Sequence, residues 1–263
     1  TIYCFFGVAG VMAFDLEGKE LWRQSVGTGT SDWGSGTSPV LYKDLVIVNA
    51  SVESSSLVAL DKKTGAVRWT AKGISAAWNS PVLVDVGGKQ ELVVSIYTRL
   101  RAFDPENGAD LWHCEGIQDY VCPSVAAHDG IVFAIGGRGN TALAVKAGGK
   151  GKVEPLWTLR KGNNVTSPVY HQGHLYWAHD SRGVVYCVDA TNGNLVYEET
   201  LEPEPNRIYA SATLGDGKIF YVSRQNGVYV VEASPKFKLL AHNQLEGDPS
   251  VFNGSPALVD GRI

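Results

Sequence analysis

Five arginines recur along the chain in polar segments where they could bind an anion. They are Arg99, Arg138, Arg182, Arg207 and Arg224, half of the ten arginines in the sequence. The planar guanidinium group presents a fork of N–H donors that matches a carboxylate, phosphate or sulfate. If the fold brings these segments to one face, the sequence predicts an anion-binding surface there.

Aromatic and amide side chains occur in the same or adjacent segments. The aromatic residues lie two to five positions before a recurring serine: Trp33, Trp78, Tyr120, Tyr209 and Phe252. Asn164 and His179 complete the predicted ligand-binding set, which would suit a sugar or a flat aromatic acid. In the alternative interpretation the aromatic rings fill the centre of the fold and the arginines form solvated ion pairs. The acidic partners would then be Asp32, Glu53, Asp119 or Asp180.

Three motifs with catalytic or metal-binding residue types are weak. His171 and His174 have metal-ligand spacing but no third ligand nearby in sequence. The loop His179-Asp180-Ser181 holds hydrolase residue types, but one loop cannot orient an ordered triad. Gly136-Gly137-Arg138-Gly139 precedes a strand, so no helix N-terminus is available to bind phosphate. We therefore predict no catalytic residues, and the sequence favours a protein that is not an enzyme.

The elements that must position these residues repeat along the chain. The segment 57–69 recurs at 100–112, with an Asp, a Gly-containing turn and a Trp at matching positions. A serine precedes each unit, with spacings of 42, 44, 43, 44 and 44 residues. These serines are Ser38, Ser80, Ser124, Ser167, Ser211 and Ser255. Six periods of about 44 residues therefore fill the chain.

Each period has the pattern of four antiparallel strands. Two apolar runs joined by a tight polar turn are followed by a loop, a third run, a turn with Thr-Gly or Asn-Gly, and a strand carrying Trp. Four-stranded units at this period predict an all-β protein, a β-propeller of six blades. The connections that carry the arginines and aromatic residues would then open on one face around the central channel.

The repeated Asp and Trp are predicted to be structural. The carboxylate can accept hydrogen bonds from the N–H groups of its turn, and the indole can lie flat between neighbouring blades. The predicted structural residues are Asp15, Trp22, Asp61, Trp69, Asp104, Trp112, Trp157 and Asp189.

The chain is predicted to form a single domain over residues 1–263. Its first repeat begins at the second strand, and residues 255–263 read as an isolated first strand. Pairing of the two would complete the first blade and close a six-bladed ring without exposed sheet edges. In the alternative, the chain is part of a ring with seven or eight blades.

The repeat Ala59-Leu60-Asp61-Lys62-Lys63-Thr64-Gly65-Ala66-Val67-Arg68-Trp69 resembles that of pyrroloquinoline-quinone-binding-like β-propellers. The segments 5–22 and 38–44 are similar to exported propeller proteins of planctomycetes and related bacteria. This resemblance implies a propeller fold and a periplasmic or extracellular location. It does not specify an activity, because its members include quinoprotein alcohol dehydrogenases, a non-catalytic outer-membrane assembly lipoprotein and sensor domains.

The quinoprotein dehydrogenases that this repeat resembles carry adjacent cysteines, a calcium site and a catalytic Asp. The four cysteines here, Cys4, Cys114, Cys122 and Cys187, are never adjacent, and no acidic cluster has calcium-loop spacing. Pyrroloquinoline quinone with calcium is therefore disfavoured as a cofactor, and no metal site is predicted.

Composition excludes several partners. With 23 basic and 27 acidic side chains, the net charge of −4 does not favour nucleic acid. No apolar run approaches the roughly 18 residues of a membrane span. We expect a monomeric binding or scaffold module whose ligand is a protein partner or an anionic small molecule or glycan. The alternatives are a degenerate quinoprotein oxidoreductase and a module that recognises acidic polysaccharide.

Overall fold

The computed structural model describes residues 1–262, and nearly all of its regular structure is β-strand. The strands are β1 (Ile2–Phe5), β2 (Val11–Phe14), β3 (Glu20–Gln24), β4 (Val40–Tyr42), β5 (Leu45–Ala50), β6 (Ser56–Asp61), β7 (Val67–Lys72), β8 (Val82–Val86), β9 (Lys89–Ile96), β10 (Arg99–Phe103), β11 (Asp110–Glu115), β12 (Ala126–His128), β13 (Ile131–Gly136), β14 (Thr141–Lys146), β15 (Gly151–Val153), β16 (Trp157–Leu159), β17 (Val169–His171), β18 (His174–Ala178), β19 (Val184–Asp189), β20 (Leu195–Thr200), β21 (Thr213–Gly215), β22 (Lys218–Val222), β23 (Val228–Glu232) and β24 (Leu239–Asn243). One turn of α-helix, α1 (Ser51–Ser54), follows β5, and a 3-10 helix (Gly7–Ala9) follows β1. Within residues 1–262, neither helix is long and apolar enough to cross a membrane.

The strands form six sheets in chain order. Sheet 1 contains β1–β3, sheet 2 contains β4–β7, and sheet 3 contains β8–β11 with β15 added in parallel. Sheet 4 contains β12, β13, β14 and β16, sheet 5 contains β17–β20, and sheet 6 contains β21–β24. Strands consecutive in each sheet pair antiparallel. The predicted repeat of four antiparallel strands is therefore confirmed for sheets 2–6.

Tight turns between the first two strands follow from the local sequence. In Asp129-Gly130, Gln172-Gly173 and Asp216-Gly217 both residues have positive φ angles, between 44° and 81°. A two-residue hairpin turn of this kind matches the twist of the flanking strands, and glycine at its second position adopts it without strain.

Hydrophobic clusters join each sheet to the next, from sheet 1 to sheet 6. On β9, Leu92 and Val94 pack into the cluster shared with sheet 2, whereas Val93 packs into the cluster shared with sheet 4. Successive side chains of a strand point to opposite faces, so both faces of an inner strand are buried. This explains why these strands read as continuous apolar runs.

A tryptophan on the last strand of one sheet covers a glycine in the next sheet. The rings of Trp22, Trp69 and Trp157 lie so close to this turn that a Cβ atom added to Gly65, Gly108 or Gly193 would lie 2.5–2.7 Å from a ring atom. Each indole N–H donates to a carbonyl of the same turn, at 3.0–3.1 Å. The repeated Trp and Gly are therefore two halves of one contact between sheets.

The repeated aspartates order the same turns. Asp61 Oδ1 accepts hydrogen bonds from the N–H groups of Lys63 and Thr64, at 2.9 and 3.0 Å. Asp15, Asp104 and Asp189 accept equivalent bonds from backbone N–H groups two residues later. These bonds satisfy turn N–H groups that would otherwise lack a partner.

Trp112 departs from the pattern because the following turn is longer. Its indole N–H donates to the buried carboxylate of Glu91 at 2.6 Å, and Glu91 also accepts from the Gly148 N–H at 3.2 Å. The extra residues form β15, which pairs with β11 at the edge of the preceding sheet. Glu91 therefore replaces the carbonyl acceptor used by the other tryptophans.

The six recurring serines form a hydrogen-bonded chain between sheets. The N–H of each serine donates to the hydroxyl of the next, at 2.8–3.1 Å, from Ser38 to Ser255. This bonding requires one serine at the same place in every repeat, which explains their regular spacing. These hydrogen bonds therefore hold each sheet in the same position relative to the next.

The predicted pairing of residues 255–263 with the first sheet is not formed in the described structure. Sheet 1 has three strands, and residues 255–262 lie in no strand. They contact sheet 6 instead: Thr213 donates to the Pro256 carbonyl, and Leu258 packs against Gly215. Ile263, the last residue of the predicted strand, lies outside the described residues.

Candidate functional site: the loop face

The connections between the second and third strands of each sheet, and those between consecutive sheets, lie at the same end of the sheets. We call this end the loop face. Its segments are tied together by backbone bonds: Trp78 N–H donates to Val121 at 2.7 Å, and Val121 N–H donates to Ala76 at 2.9 Å. Asn49 adds side-chain bonds to the carbonyls of Ala77 and Asn79. These hydrogen bonds fix the segments of the loop face relative to one another, as a preorganised binding surface requires.

Four of the predicted ligand-binding residues meet in one group, the Tyr120 cluster (Trp78, Tyr120, Arg138 and Asn164). The Trp78 ring meets the Tyr120 ring edge to face, with centroids 6.0 Å apart. The Arg138 guanidinium lies 5.1 Å from the centroid of the same ring, and Asn164 donates to the Tyr120 hydroxyl at 2.8 Å. Arg138 remains exposed, so its N–H donors face solvent.

Three more predicted residues meet in a second group, the Tyr209 cluster (Arg207, Tyr209, Arg224 and Asn253). Arg207 donates to the Tyr209 hydroxyl at 2.9 Å, and the Arg224 guanidinium lies 4.5 Å from the ring centroid. Arg224 also donates to Asn253 at 2.8 Å, and the N–H of Phe252 donates to the Arg224 carbonyl at 2.9 Å. The sequence pattern missed Asn253, since nothing before the fold is known links it to Arg224.

The remaining predicted residues stay apart from these clusters. Trp33 lies in the connection after sheet 1 and is 87% exposed. Arg99 lies on β10 and lines an open depression with Arg101 and Asp110, away from both clusters. Arg182 is exposed in the loop after β18. Three of the five arginines therefore belong to the two clusters, and Arg99 and Arg182 lie outside them.

The arginines of the loop face and three arginines on the strands differ in their ion pairs. Arg23, Arg68 and Arg101 pair with Glu20, Asp61 and Asp110. In the part of the chain that the structure describes, the guanidinium groups of Arg138, Arg182, Arg207 and Arg224 have no carboxylate partner.

Three of the four acidic residues in the alternative interpretation accept hydrogen bonds from loop groups. Asp119 accepts the backbone N–H of Arg138 at 2.9 Å, and Asp180 accepts that of Asn164 at 3.2 Å. Glu53 accepts from the hydroxyl of Ser35. Among residues 1–262, none of the ion pairs joins Arg99, Arg138, Arg182, Arg207 or Arg224 to Asp32, Glu53, Asp119 or Asp180.

His179 is buried beside the Tyr120 cluster. It is 5% exposed, its Nδ1 accepts the Ser181 N–H at 3.2 Å, and Asp180 Oδ1 lies 3.5 Å from Nδ1. Burial lowers the pKa of His179 below its usual value, an effect that Asp180 opposes and Arg182 reinforces. The neutral ring therefore orders this loop and does not add positive charge to the surface.

We expect His179→Asn to weaken the dependence of stability on pH. A lowered folded pKa means that the unfolded chain takes up the proton first, so this contribution to stability is present above about pH 6.5 and is lost as pH falls toward the folded pKa. Asparagine keeps an acceptor for Ser181 but does not titrate. Urea unfolding at pH 5 and pH 7.5 measures the difference, with His171→Asn as the control. This assignment would be contradicted if the free energy of unfolding changed between pH 5 and pH 7.5 by the same amount in His179→Asn as in the wild-type protein.

The described residues do not fit a calcium-bound quinone. The four cysteines are free thiols at separate positions, and no group of three His, Cys, Asp or Glu side chains in residues 1–262 could hold a metal ion. Burial raises the pKa of Cys122 to about 11 and that of Cys187 to about 12, so both remain protonated at neutral pH.

Solved structures similar to this chain share its sheet repeat. BamB from Moraxella catarrhalis matches with a TM-score of 0.63 and 18% identity, over 90% of this chain and 68% of that chain. The computationally designed Ika8 protein matches with a TM-score of 0.63 and 16% identity, over 93% of this chain and 71% of that chain. At these identities the likeness concerns the fold, and it confirms the predicted β-propeller class.

A third structure extends the likeness to quinoproteins. The quinohemoprotein alcohol dehydrogenase ADHIIG from Pseudomonas putida HK5 matches with a TM-score of 0.57 and 14% identity, over 80% of this chain and 42% of that chain. A comparison with curated protein sequences gave no match.

A family model described as outer membrane protein assembly factor BamB matches residues 7–151, more than half of the 263 residues. These residues include the first two complete four-stranded repeats, on which the resemblance to pyrroloquinoline-quinone-like propellers was based. The resemblance is therefore confirmed, and the chain belongs to the outer membrane protein assembly factor BamB family of β-propeller repeat proteins.

Proposed function

We propose that this chain is a monomeric, non-catalytic binding module whose loop face holds a carboxylate-bearing partner. The observation that carries the proposal is the Tyr209 cluster, where Arg207 and Arg224 converge on one tyrosine without an acidic partner among the described residues. Two guanidinium groups held side by side repel each other, and an incoming carboxylate would relieve that repulsion while accepting their N–H bonds.

The Tyr120 cluster supports the same proposal. Arg138 is exposed while its guanidinium lies against the Tyr120 ring, so its donors are oriented before a ligand arrives. A stacked arginine loses less side-chain entropy on binding than a freely rotating lysine does. The two clusters thus give the loop face two oriented guanidinium sites.

The carboxylates could belong to an acidic protein segment or to an acidic polysaccharide. Membership of a family described as an assembly factor favours the protein segment. It also supports our proposal that the chain acts in an exported, periplasmic or extracellular setting, which fractionation of the native cells would test. We do not propose the alternative quinoprotein oxidoreductase function, because no observation on residues 1–262 favours it.

The test compares binding of poly-L-glutamate and polygalacturonate by isothermal titration calorimetry. We expect the wild-type protein to bind at least one polymer, more weakly as salt rises, because the guanidinium groups are exposed. Arg207→Ala/Arg224→Ala should weaken binding about tenfold or more, since each lost charge-assisted bond costs roughly 1.5–3 kcal/mol before screening. Preference for poly-L-glutamate identifies a protein segment, and preference for polygalacturonate identifies a glycan.

The matched control is Lys63→Ala/Lys236→Ala, which removes the same charge from exposed turns at the opposite end of the sheets. Binding should survive this change. If both double variants weakened binding equally, the effect would be due to net charge and not to the loop face. If the wild-type protein bound neither polymer, the proposal would be overturned.

A further inference from the structure

A second charged feature of the loop face is a buried carboxylate with one unpartnered oxygen. Glu53, on α1, is 5% exposed. Its Oε1 accepts a hydrogen bond from the Ser35 hydroxyl, whereas its buried Oε2 accepts none from the described residues. No ion pair within residues 1–262 involves Glu53. A buried carboxylate without a partner is unfavourable unless a donor or a cation compensates it.

Glu53 forms part of the wall of an open cavity of about 400 Å³. Phe6, Gly7 and Ser35 line the same cavity. A Cβ atom added to Gly7 would lie 3.0 Å from the Ser35 hydroxyl and 3.3 Å from Glu53 Oε1, so a larger residue at this position would crowd the Ser35–Glu53 hydrogen bond. The volume is within the range of small-ligand sites.

Exposed hydrophobic side chains surround the cavity. Phe6 is 55% exposed and Val8 is 53% exposed, and both line it. An exposed aromatic ring in the same cavity as an uncompensated carboxylate favours an organic cation, whose charge interacts with the ring and whose alkyl part packs against it.

We propose that this cavity binds an organic cation, a primary ammonium or guanidinium group held by Glu53 with Phe6 beside it. Its N–H donors would satisfy Glu53 Oε2, and Ser35 would orient the carboxylate through Oε1. A metal ion is not the ligand we propose, since no group of three His, Cys, Asp or Glu side chains among the described residues surrounds the site. The site uses none of the arginines of the Tyr120 and Tyr209 clusters, so it is independent of the proposed carboxylate-binding function.

The experiment titrates the protein with n-butylammonium chloride, n-butylguanidinium chloride and neutral butan-1-ol, followed by intrinsic tryptophan fluorescence and calorimetry. A blocked peptide with one central lysine represents the side chain of a protein partner. We expect saturable binding of both cations and none of butan-1-ol. Glu53→Gln, which keeps the shape and removes the charge, should weaken cation binding about tenfold or more.

Arg207→Ala/Arg224→Ala serves as the control and should bind the cations like the wild-type protein. Should Glu53→Gln fail to fold, Phe6→Ala at the exposed rim provides the second test, with about threefold weaker binding of butylguanidinium. Binding of the peptide identifies a protein side chain as the ligand, whereas binding of butylammonium alone identifies a free amine. The proposal is overturned if neither cation saturates the wild-type protein, or if all variants bind equally.

Discussion

Replacing Trp112 by alanine is expected to lower the free energy of unfolding by about 3–5 kcal/mol. The Trp112 side chain is 1% exposed and packs in the cluster between sheets 3 and 4. Its removal opens a cavity and also leaves the buried Glu91 carboxylate with Gly148 N–H as its remaining donor. Urea unfolding followed by circular dichroism measures the loss.

Two further variants separate the causes. Trp112→Phe retains most of the ring volume but removes the N–H donor, so we expect a smaller loss of about 1–3 kcal/mol. Trp33→Ala deletes an indole that is 87% exposed and should change stability by less than about 0.5 kcal/mol. If Trp112→Ala and Trp33→Ala unfolded at the same urea concentration, the packing described between sheets 3 and 4 would be wrong.

Gly108→Ala should strongly destabilise the protein, with a loss of about 3 kcal/mol in the free energy of unfolding. Gly108 has a φ of 74°, which strains any residue with a Cβ atom, and the new methyl would lie 2.5 Å from Trp69 Cε3. The ring must therefore move out of the contact between sheets 2 and 3.

Gly217→Ala measures how much stability a turn glycine substitution loses from its positive φ angle alone. Gly217 has a φ of 66°, but a Cβ atom there would meet nothing within 4 Å. We expect a loss of about 1 kcal/mol from backbone strain alone. The difference between the two variants in urea unfolding reports the displaced tryptophan, and equal losses would show that Trp69 does not restrain Gly108.

Repetition made the fold predictable. A serine every 42–44 residues and the Asp, Gly and Trp between two serines each mark a contact that recurs in the structure. The serines form the chain of hydrogen bonds, and Trp69 packs on Gly108 as the pattern of the repeat indicates. The departure at Trp112 was not predicted, because its acceptor Glu91 lies on another strand and no repeated residue marks it.

The candidate site was predictable only in part. Loop positions placed Tyr120, Arg138 and Asn164 at one end of the sheets, but which side chains touch depends on loop conformations that no repeat fixes. Arg99 was expected with them, yet it is the first residue of β10 and lines a depression that contains no residue of either cluster. Glu53 was expected as an arginine partner, and its unpartnered oxygen became visible only once its burial was known.

The tryptophan and serine contacts between sheets run in one direction along the chain. Trp22, Trp69 and Trp157 each reach forward to the turn of the following sheet, and each recurring serine donates its N–H forward to the next. A sheet that loses its successor would therefore expose its own indole, whereas a sheet that loses its predecessor would retain its aspartate-ordered turn. Local unfolding of one sheet should accordingly destabilise the preceding sheet more than the following one, so unfolding should spread toward the amino terminus more readily than toward the carboxyl terminus.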